Sequence, residues 1–414
     1  MSLQNATSNK RKIINDPVHG FITIPHDFIY DLIQHPFVQR LRRIKQLGMS
    51  HLVYPGANHT RFHHALGAMH LMSKAITVLK KKGVEITDDE KLAVRAAILL
   101  HDIGHGPFSH TLEHSLLESS NHEDLSLLFM NRLNEEFNGK LDLAISIFTN
   151  QYHKPFLHQL VSGQLDMDRL DYLQRDSFFT GVSEGIVGAE RIITMLNVRD
   201  GELVVEEKGI YSIENFISAR RIMYWQVYMH KTVVSSEYML INILKRANYL
   251  FDNGLDLFAS PYLKVFLKNR YTIEDFKTQP ELLNQFALID DNDLISAIKV
   301  WQFSEDKVLR LLCERIMSRN LFKTEITKEP ADPQRINEIK NELMSSLQIT
   351  ESELEYFIDT EILVNNAYNE RTKQIHILSK DGSIQDLAMA SDNFNILSLS
   401  KPVEKFCLCY YNVK

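Results

Sequence analysis

The chain has 414 residues, more than the ~250–300 at which one hydrophobic core stops growing, so a large main domain with a smaller appendage is expected. Hydrophobic residues make up 44% and charged residues 24%, with only 16 Gly and 11 Pro, which excludes a disordered or fibrous chain and predicts a soluble globular one. The formal net charge of −7 excludes a broad basic field for nucleic acid or anionic membrane, so a small phosphorylated ligand held by a local cationic cluster fits better than a polymer.

The first residues, MSLQNATSNKRK, contain no apolar core of signal-peptide length, and residues 1–11 are expected to form a flexible terminus. No run reaches the ~18 apolar residues of a membrane span, which points to a cytoplasmic protein. KIINDPVHGFITIP is β-branched around Asp-Pro and His-Gly turn signals and predicts a short hairpin. From Asp27 the pattern turns helical: Phe62, Leu66, Met69, Ser73 and Ile76 recur at helical spacing, and DDEKLAVRAAILLHD has an acidic start and an apolar body. In SSNHEDLSLLFMNRL the Ser120-x-x-Glu123 spacing predicts a capping box that sets His122 in the first turn of a helix. LDMDRLDYLQRD follows as a helix, and ENFISARRIMYWQVYMHKTVVSSEYMLINILKRANYLF reads as one long helix. Between them MLNVRDGELVVEEKG, with Asp-Gly among alternating apolar residues, predicts a hairpin.

After about residue 255 the helices grow more charged, and near Glu361 the texture becomes extended. EILVNNAY, QIHILSKDGSIQDL and VEKFCLCYY read as strands of a small terminal sheet, joined in part through Lys-Asp-Gly. Cys313, Cys407 and Cys409 cannot pair completely, and the alternation of Cys407 with Cys409 suits buried thiols on a strand. The expectation is a mostly α fold, with a helical core over residues 12–255, short β-hairpins, and a C-terminal α+β region over 256–414.

The stretch LLHDIGHGPFSH places His101, Asp102, His105 and His110 directly after an apolar helix. A carboxylate there is costly to bury unless it is paired or binds a cation. Alone, the His-Asp pair is better explained by a hydrogen-bonded histidine at a helix C-terminus. Its surroundings favour more. Arg61 and His64 stand three apart at a helix start, and Asp168, Asp171, Tyr172 and Arg175 share one helical face. His64, His101, Asp102 and Asp168 together supply two nitrogens and two oxygens, a set that suits Mn, Fe, Ni or Zn, with Mg admitted but less favoured by two imidazoles. Imidazole as a group titrates close to working pH, which makes His110 and His122 candidates for proton donation. Arg220, Tyr224, Tyr228 and Lys231, at 4-4-3 spacing, form a continuous aromatic and cationic face that suits either a nucleotide or ordinary core packing.

The order of RFHHALG, LLHDIGHGPFSH and LDMDRLDY resembles the HD-domain metal-dependent phosphohydrolases, which implies an HD-type helical core. INDPVHG, QRLRRIKQLG and YPGANHTRFHHALG are similar to the deoxynucleoside triphosphate triphosphohydrolase branch, a likeness that covers roughly residues 12 to 240. The resemblance implies that His64, His101, Asp102 and Asp168 bind one divalent metal ion per active site. It implies that Arg61 and Arg169 hold phosphates and that His105 and His110 are active-site histidines. Glu113, where the family commonly has Asp, would orient His110. Gln46, Leu47, Tyr172, Asp176, Arg220 and Tyr228 would meet the nucleoside part of the substrate, and Met229 departs where animal members carry Gln. Lys12, Asn15, Gln39 and Arg42 match an activator-nucleotide site between subunits, with Gln34 where an acidic residue reads guanine.

The implied function is hydrolysis of a dGTP-like deoxynucleoside triphosphate to deoxynucleoside and triphosphate by metal-activated water, in a homo-oligomer. The alternatives are the same site acting on a nucleoside monophosphate or cyclic nucleotide, and a nucleotide-binding regulatory protein without turnover. A nuclease is a third, and the acidic total charge argues against it.

Overall fold

The computed structural model describes residues 12–108, 117–118, 121–365, 374–392 and 402–413. As expected, it is mostly helical with a few small sheets. No helix among the described residues is long and apolar enough to cross a membrane.

The N-terminal hairpin pairs β1 (Ile13–Asp16) with β2 (Gly20–Thr23). Its turn is closed by Asp16, whose Oδ1 accepts the main-chain N–H groups of Val18 and His19. After α1 (Asp27–Gln34) come the helices that carry the site: α2 (Arg61–Lys81), α3 (Asp88–Leu100), α4 (His122–Glu136) and α5 (Met167–Thr180). Thr87 and Glu90 form a reciprocal cap that starts α3, whose apolar body is buried to its end. His122 does open α4, and its cap is Asn121, which accepts from Asp124 N; Ser120 of the expected Ser120–Glu123 box lies outside the described residues. Asn121 already has the extended backbone that a capping residue requires.

The Asp200-Gly201 hairpin forms between β3 (Leu196–Arg199) and β4 (Glu202–Glu206), both turn residues having positive φ. The expected long helix is broken. α6 (Ile210–Met223) passes into a π-helical turn at Tyr224–Tyr228, and α7 (Lys231–Asp252) starts afresh. The cause is local: Met229 N donates back to Tyr224 O, five residues away, and extended His230 caps α7 by accepting from Thr232 N. The face expected to run from Arg220 through Lys231 is therefore not continuous.

In the C-terminal region α8 (Asp291–Trp301) packs among further helices. The terminal strands divide between two sheets instead of forming one. β5 (Lys323–Thr327) and β6 (Ile358–Asn365) flank the last strand antiparallel. The hairpin of β7 (His376–Leu378) and β8 (Ile384–Asp386) instead extends the β3–β4 hairpin, β7 running parallel to β4 with Val204 opposite His376. β9 (Val403–Tyr410) is the central strand of the first sheet. Cys407 and Cys409 are buried there, and Cys313 is buried in the helical region, all three as free thiols, as expected.

Candidate metal centre and active site

Three helix ends converge. His64 lies in the first turn of α2, His101 and Asp102 follow the last turn of α3, and Asp168 sits in the first turn of α5. His64 Nε2 is 3.4 Å from His101 Nε2, 3.1 Å from Asp168 Oδ1 and 3.8 Å from Asp102 Oδ2. His101 Nε2 is 3.3 Å from Asp102 Oδ1 and 3.5 Å from Asp168 Oδ1. Donors held at ~2.1 Å around a divalent cation stand ~3.0–3.4 Å apart; His64, His101 and Asp168 come close enough together to hold one ion, while Asp102, next to them, also groups with His105 and His122. The ring nitrogens facing away are already engaged: His64 Nδ1 with Asp171 Oδ2 at 2.8 Å, and His101 Nδ1 with Ile98 O at 2.6 Å. Each acceptor keeps its proton on Nδ1 and turns Nε2 towards the cluster, the arrangement that metal-binding histidines need.

The support behind the cluster is charged and buried. Asp171 also accepts from Arg175 Nε and Nη2 and from His19 Nε2, while Arg175 Nη1 reaches Asp16 Oδ2 at 2.8 Å. The N-terminal hairpin thus ties into the histidine that faces the centre. α2 approaches this network at Gly67, where a Cβ would lie 2.0 Å from Asp171 Oδ1 and 2.2 Å from Arg175 Nη2. Burial pushes His64 towards neutrality, yet hydrogen bonds to Asp168 and Asp171 outweigh it and raise its pKa to about 10. Burial likewise opposes ionisation of Asp168, and the two histidines still hold it well below the usual carboxylate range.

A cavity of about 580 Å³ opens onto this centre. Gln46, Leu47, Arg61, Asp102, His105, His122, Asp168, Arg169, Tyr172, Asp176 and Tyr228 all line it. Arg61 Nη1 is 2.5 Å from Asp102 Oδ2. The His105 and His122 rings stack at 4.0 Å, and burial with the nearby Arg61 charge holds His105 well below the usual histidine pKa. Arg169 Nε donates to Gly163 O. Tyr228 donates to Asp176 Oδ2 at 2.7 Å, and His59 holds the other oxygen at 2.7 Å.

Arg220 stands apart: its Nη1 donates to Gln164 Oε1, and it is not among the residues lining the cavity. His110 and Glu113 lie outside the described residues. Of the expected activator residues, Gln39 accepts from Arg42 Nε, Lys12 Nζ donates to Tyr30 OH, and Asn15 lies in β1 opposite Phe21.

The sequence reading did not assign roles to Asp16, His19 and His59. INDPVHG carries turn signals and a family likeness, and ANHT lies within a stretch that carries the likeness, but neither marks a partner for the site. Nor did it place the C-terminal region at the site, yet Glu361 and Leu363 of β6 line the same cavity, and Tyr238 donates to Glu361.

The model of the HD domain matches residues 61–176, which include His64, His101, Asp102 and Asp168, and the model of the HD associated region matches residues 187–253. The chain is 32% identical over 407 residues to the uncharacterized protein YwfO of Bacillus subtilis, covering 94% of this chain and 90% of that one. It is 31% identical to the deoxynucleoside triphosphate triphosphohydrolase SAMHD1 homolog of Dictyostelium discoideum, over 75% of this chain but only 59% of that protein's length. Among solved structures, a phosphohydrolase from Bacteroides thetaiotaomicron superposes with a TM-score of 0.94 at 55% identity, covering 97% of this chain and 100% of that chain. With its histidine–aspartate cluster inside the matched domain and relatives that align along nearly its whole length, the chain belongs to the HD-domain phosphohydrolase family.

Proposed function

We propose that the protein hydrolyses a deoxynucleoside triphosphate at its α-phosphorus, releasing deoxynucleoside and triphosphate. The observation that carries this reading is one cavity whose lining brings together Asp102 and Asp168 of the cluster, Arg61 and Arg169, and the tyrosine–carboxylate wall, with His64 and His101 packed behind the two aspartates. A divalent cation, Mn, Fe, Ni or Zn, bound by His64, His101, Asp102 and Asp168 would supply Lewis acidity and make water nucleophilic near neutral pH. Arg61 and Arg169 offer the positive charge that a triphosphate requires as its charge redistributes. The pair with Asp102 holds the Arg61 guanidinium on the cavity wall, where its planar, permanently charged group suits phosphate oxygens. His105, kept neutral, serves as a hydrogen-bonding group and not as a cationic clamp.

His122, on the cavity wall, and His110 are the candidates to protonate the departing 5′ oxygen. Tyr172 and Tyr228 present rings to the sugar, and Asp176 offers an acceptor for a sugar hydroxyl. The likeness to a protein named as a deoxynucleoside triphosphate triphosphohydrolase supports the choice of substrate class. In the same proposal Lys12, Asn15, Gln39 and Arg42 bind an activating nucleotide between subunits.

The reading is tested by incubating Mn-loaded protein with each deoxynucleoside triphosphate, with and without each other nucleoside triphosphate as activator. Deoxynucleoside and tripolyphosphate in equal amounts are expected. Turnover confined to mono- or cyclic nucleotides would overturn it. His101→Ala and Asp102→Ala are expected to lose both metal and activity.

A further inference from the structure

Asp291 opens α8, outside the segments matched by the family models, and is buried. Its Oδ2 accepts the main-chain N–H of Lys45 and its Oδ1 that of Phe108, both at 2.9 Å. These amides belong to two separate loops. Lys45 directly precedes Gln46 and Leu47, which line the cavity, and it bridges to Thr60 while Arg61 N donates to Ile44 O. The first loop is therefore tied to the start of α2. Phe108 ends the described part of the second loop, which runs from Asp102 through His105, and it also lines the cavity.

Two further observations show that this second loop is held from outside. Phe108 has φ +49, a left-handed backbone that is strained for a bulky residue and persists only where its surroundings impose it. The buried Arg40 guanidinium donates through Nη2 to Ile103 O and His105 O, both at 2.8 Å. Next to it Arg43 pairs with Asp290, the residue that caps α8.

We propose that Asp291 is a positioning residue: by gathering the amides of Lys45 and Phe108 onto one carboxylate, it fixes the separation of two walls of the active-site cavity. The C-terminal region thereby becomes part of the catalytic assembly. Only a group with two acceptor oxygens serves both amides, whereas an Asn side chain would turn an NH₂ towards one of them. Burial pushes the Asp291 carboxyl up to about 6 against the two N–H groups, so it is ionised and able to accept from both at neutral pH.

The inference rests on reading this cavity as the nucleotide site, and its test separates the two. Asp291→Asn and Asp291→Ala are made in the full chain. Metal content, kcat and KM for a deoxynucleoside triphosphate, and hydrogen exchange in peptides covering residues 44–48 and 101–108 are then compared with the original protein. Both variants are expected to keep their metal and to exchange faster in both loops. kcat/KM should fall about 100-fold in Asp291→Ala, the scale of an ångström-sized misplacement, and less in Asp291→Asn, which keeps one acceptor. Exchange unchanged in the two loops, or faster only around α8 with kcat/KM intact, would overturn the proposal. So would loss of metal and of protection throughout the chain in both variants, because Asp291 would then hold the fold and not the loops. If the original protein turns over no deoxynucleoside triphosphate, the functional reading fails alone, and loop exchange still decides the role of Asp291.

Discussion

Replacing Asp171 by Asn keeps the size of the side chain and removes half of its capacity to accept hydrogen bonds. In the structure Oδ1 takes His19 Nε2 at 2.6 Å and Arg175 Nη2 at 3.0 Å, while Oδ2 takes His64 Nδ1 at 2.8 Å and Arg175 Nε at 2.9 Å. An amide NH₂ on either side would confront two donors. Removing one partner of a buried ion pair costs ~3–5 kcal/mol, and because Arg175 retains Asp16 the lower end applies, about 3 kcal/mol. The same substitution weakens the bond that sets the His64 ring, for which metal affinity should drop ~10–100-fold. Unfolding of the metal-free protein in urea reads the first effect, and competition with a chelator reads the second. A folded Asp171→Asn variant that binds metal as tightly as the original protein would refute the argument that this carboxylate orients His64.

Gly67→Ala should destabilise the protein by more than about 3 kcal/mol, because its Cβ would meet the buried Asp171–Arg175 pair at 2.0–2.2 Å; a thermal unfolding midpoint within about 1 °C of the original would contradict this. His70 has its pKa lowered from 6.5 to about 4, first by burial and then by Lys74 and His19, so its neutral form is favoured on folding. The stability it contributes is present above pH 6.5 and lost as pH falls towards 4. The ring is only about half buried, which reduces the full linkage value to about 1–2 kcal/mol, and His70→Gln should lessen the loss of stability between pH 7.5 and 4.5 by ~1–2 kcal/mol in urea titrations. Tyr228→Phe removes a donor from the buried Asp176 and should cost ~1–3 kcal/mol in unfolding experiments while raising KM for the nucleotide; an unaltered KM would detach Tyr228 from the substrate.

The parts of the fold legible in the sequence are those set by neighbouring residues. Asp200-Gly201 specified its hairpin because both positions need positive φ, and the acidic start and apolar run of α3 specified a helix that ends at His101. The histidine–aspartate cluster was legible for a related reason: each member sits at a helix end whose periodicity can be read locally. The break at His230 was not legible, because a π turn and a histidine cap leave the apolar period on either side intact. Strand β5 was missed, and the hairpin of β7 and β8 was assigned to the wrong sheet, because pairings such as Val204 with His376 join residues that no local pattern connects. The same limit hid the support of the site. Asp16 and His19 read as turn residues in their own segment and Asp291 carries no local signal, and all three become part of the centre only through partners more than 150 residues away.

The central claim is that His64, His101, Asp102 and Asp168 hold one divalent ion that makes the cavity a triphosphohydrolase site. The most direct measurement strips the purified protein of metal, returns Mn in increments, and follows tripolyphosphate released from a deoxynucleoside triphosphate. Release should be absent at the start, rise with added Mn, and level off at one equivalent per chain. Full release from the stripped protein, or products that never include tripolyphosphate at any Mn content, would contradict the account.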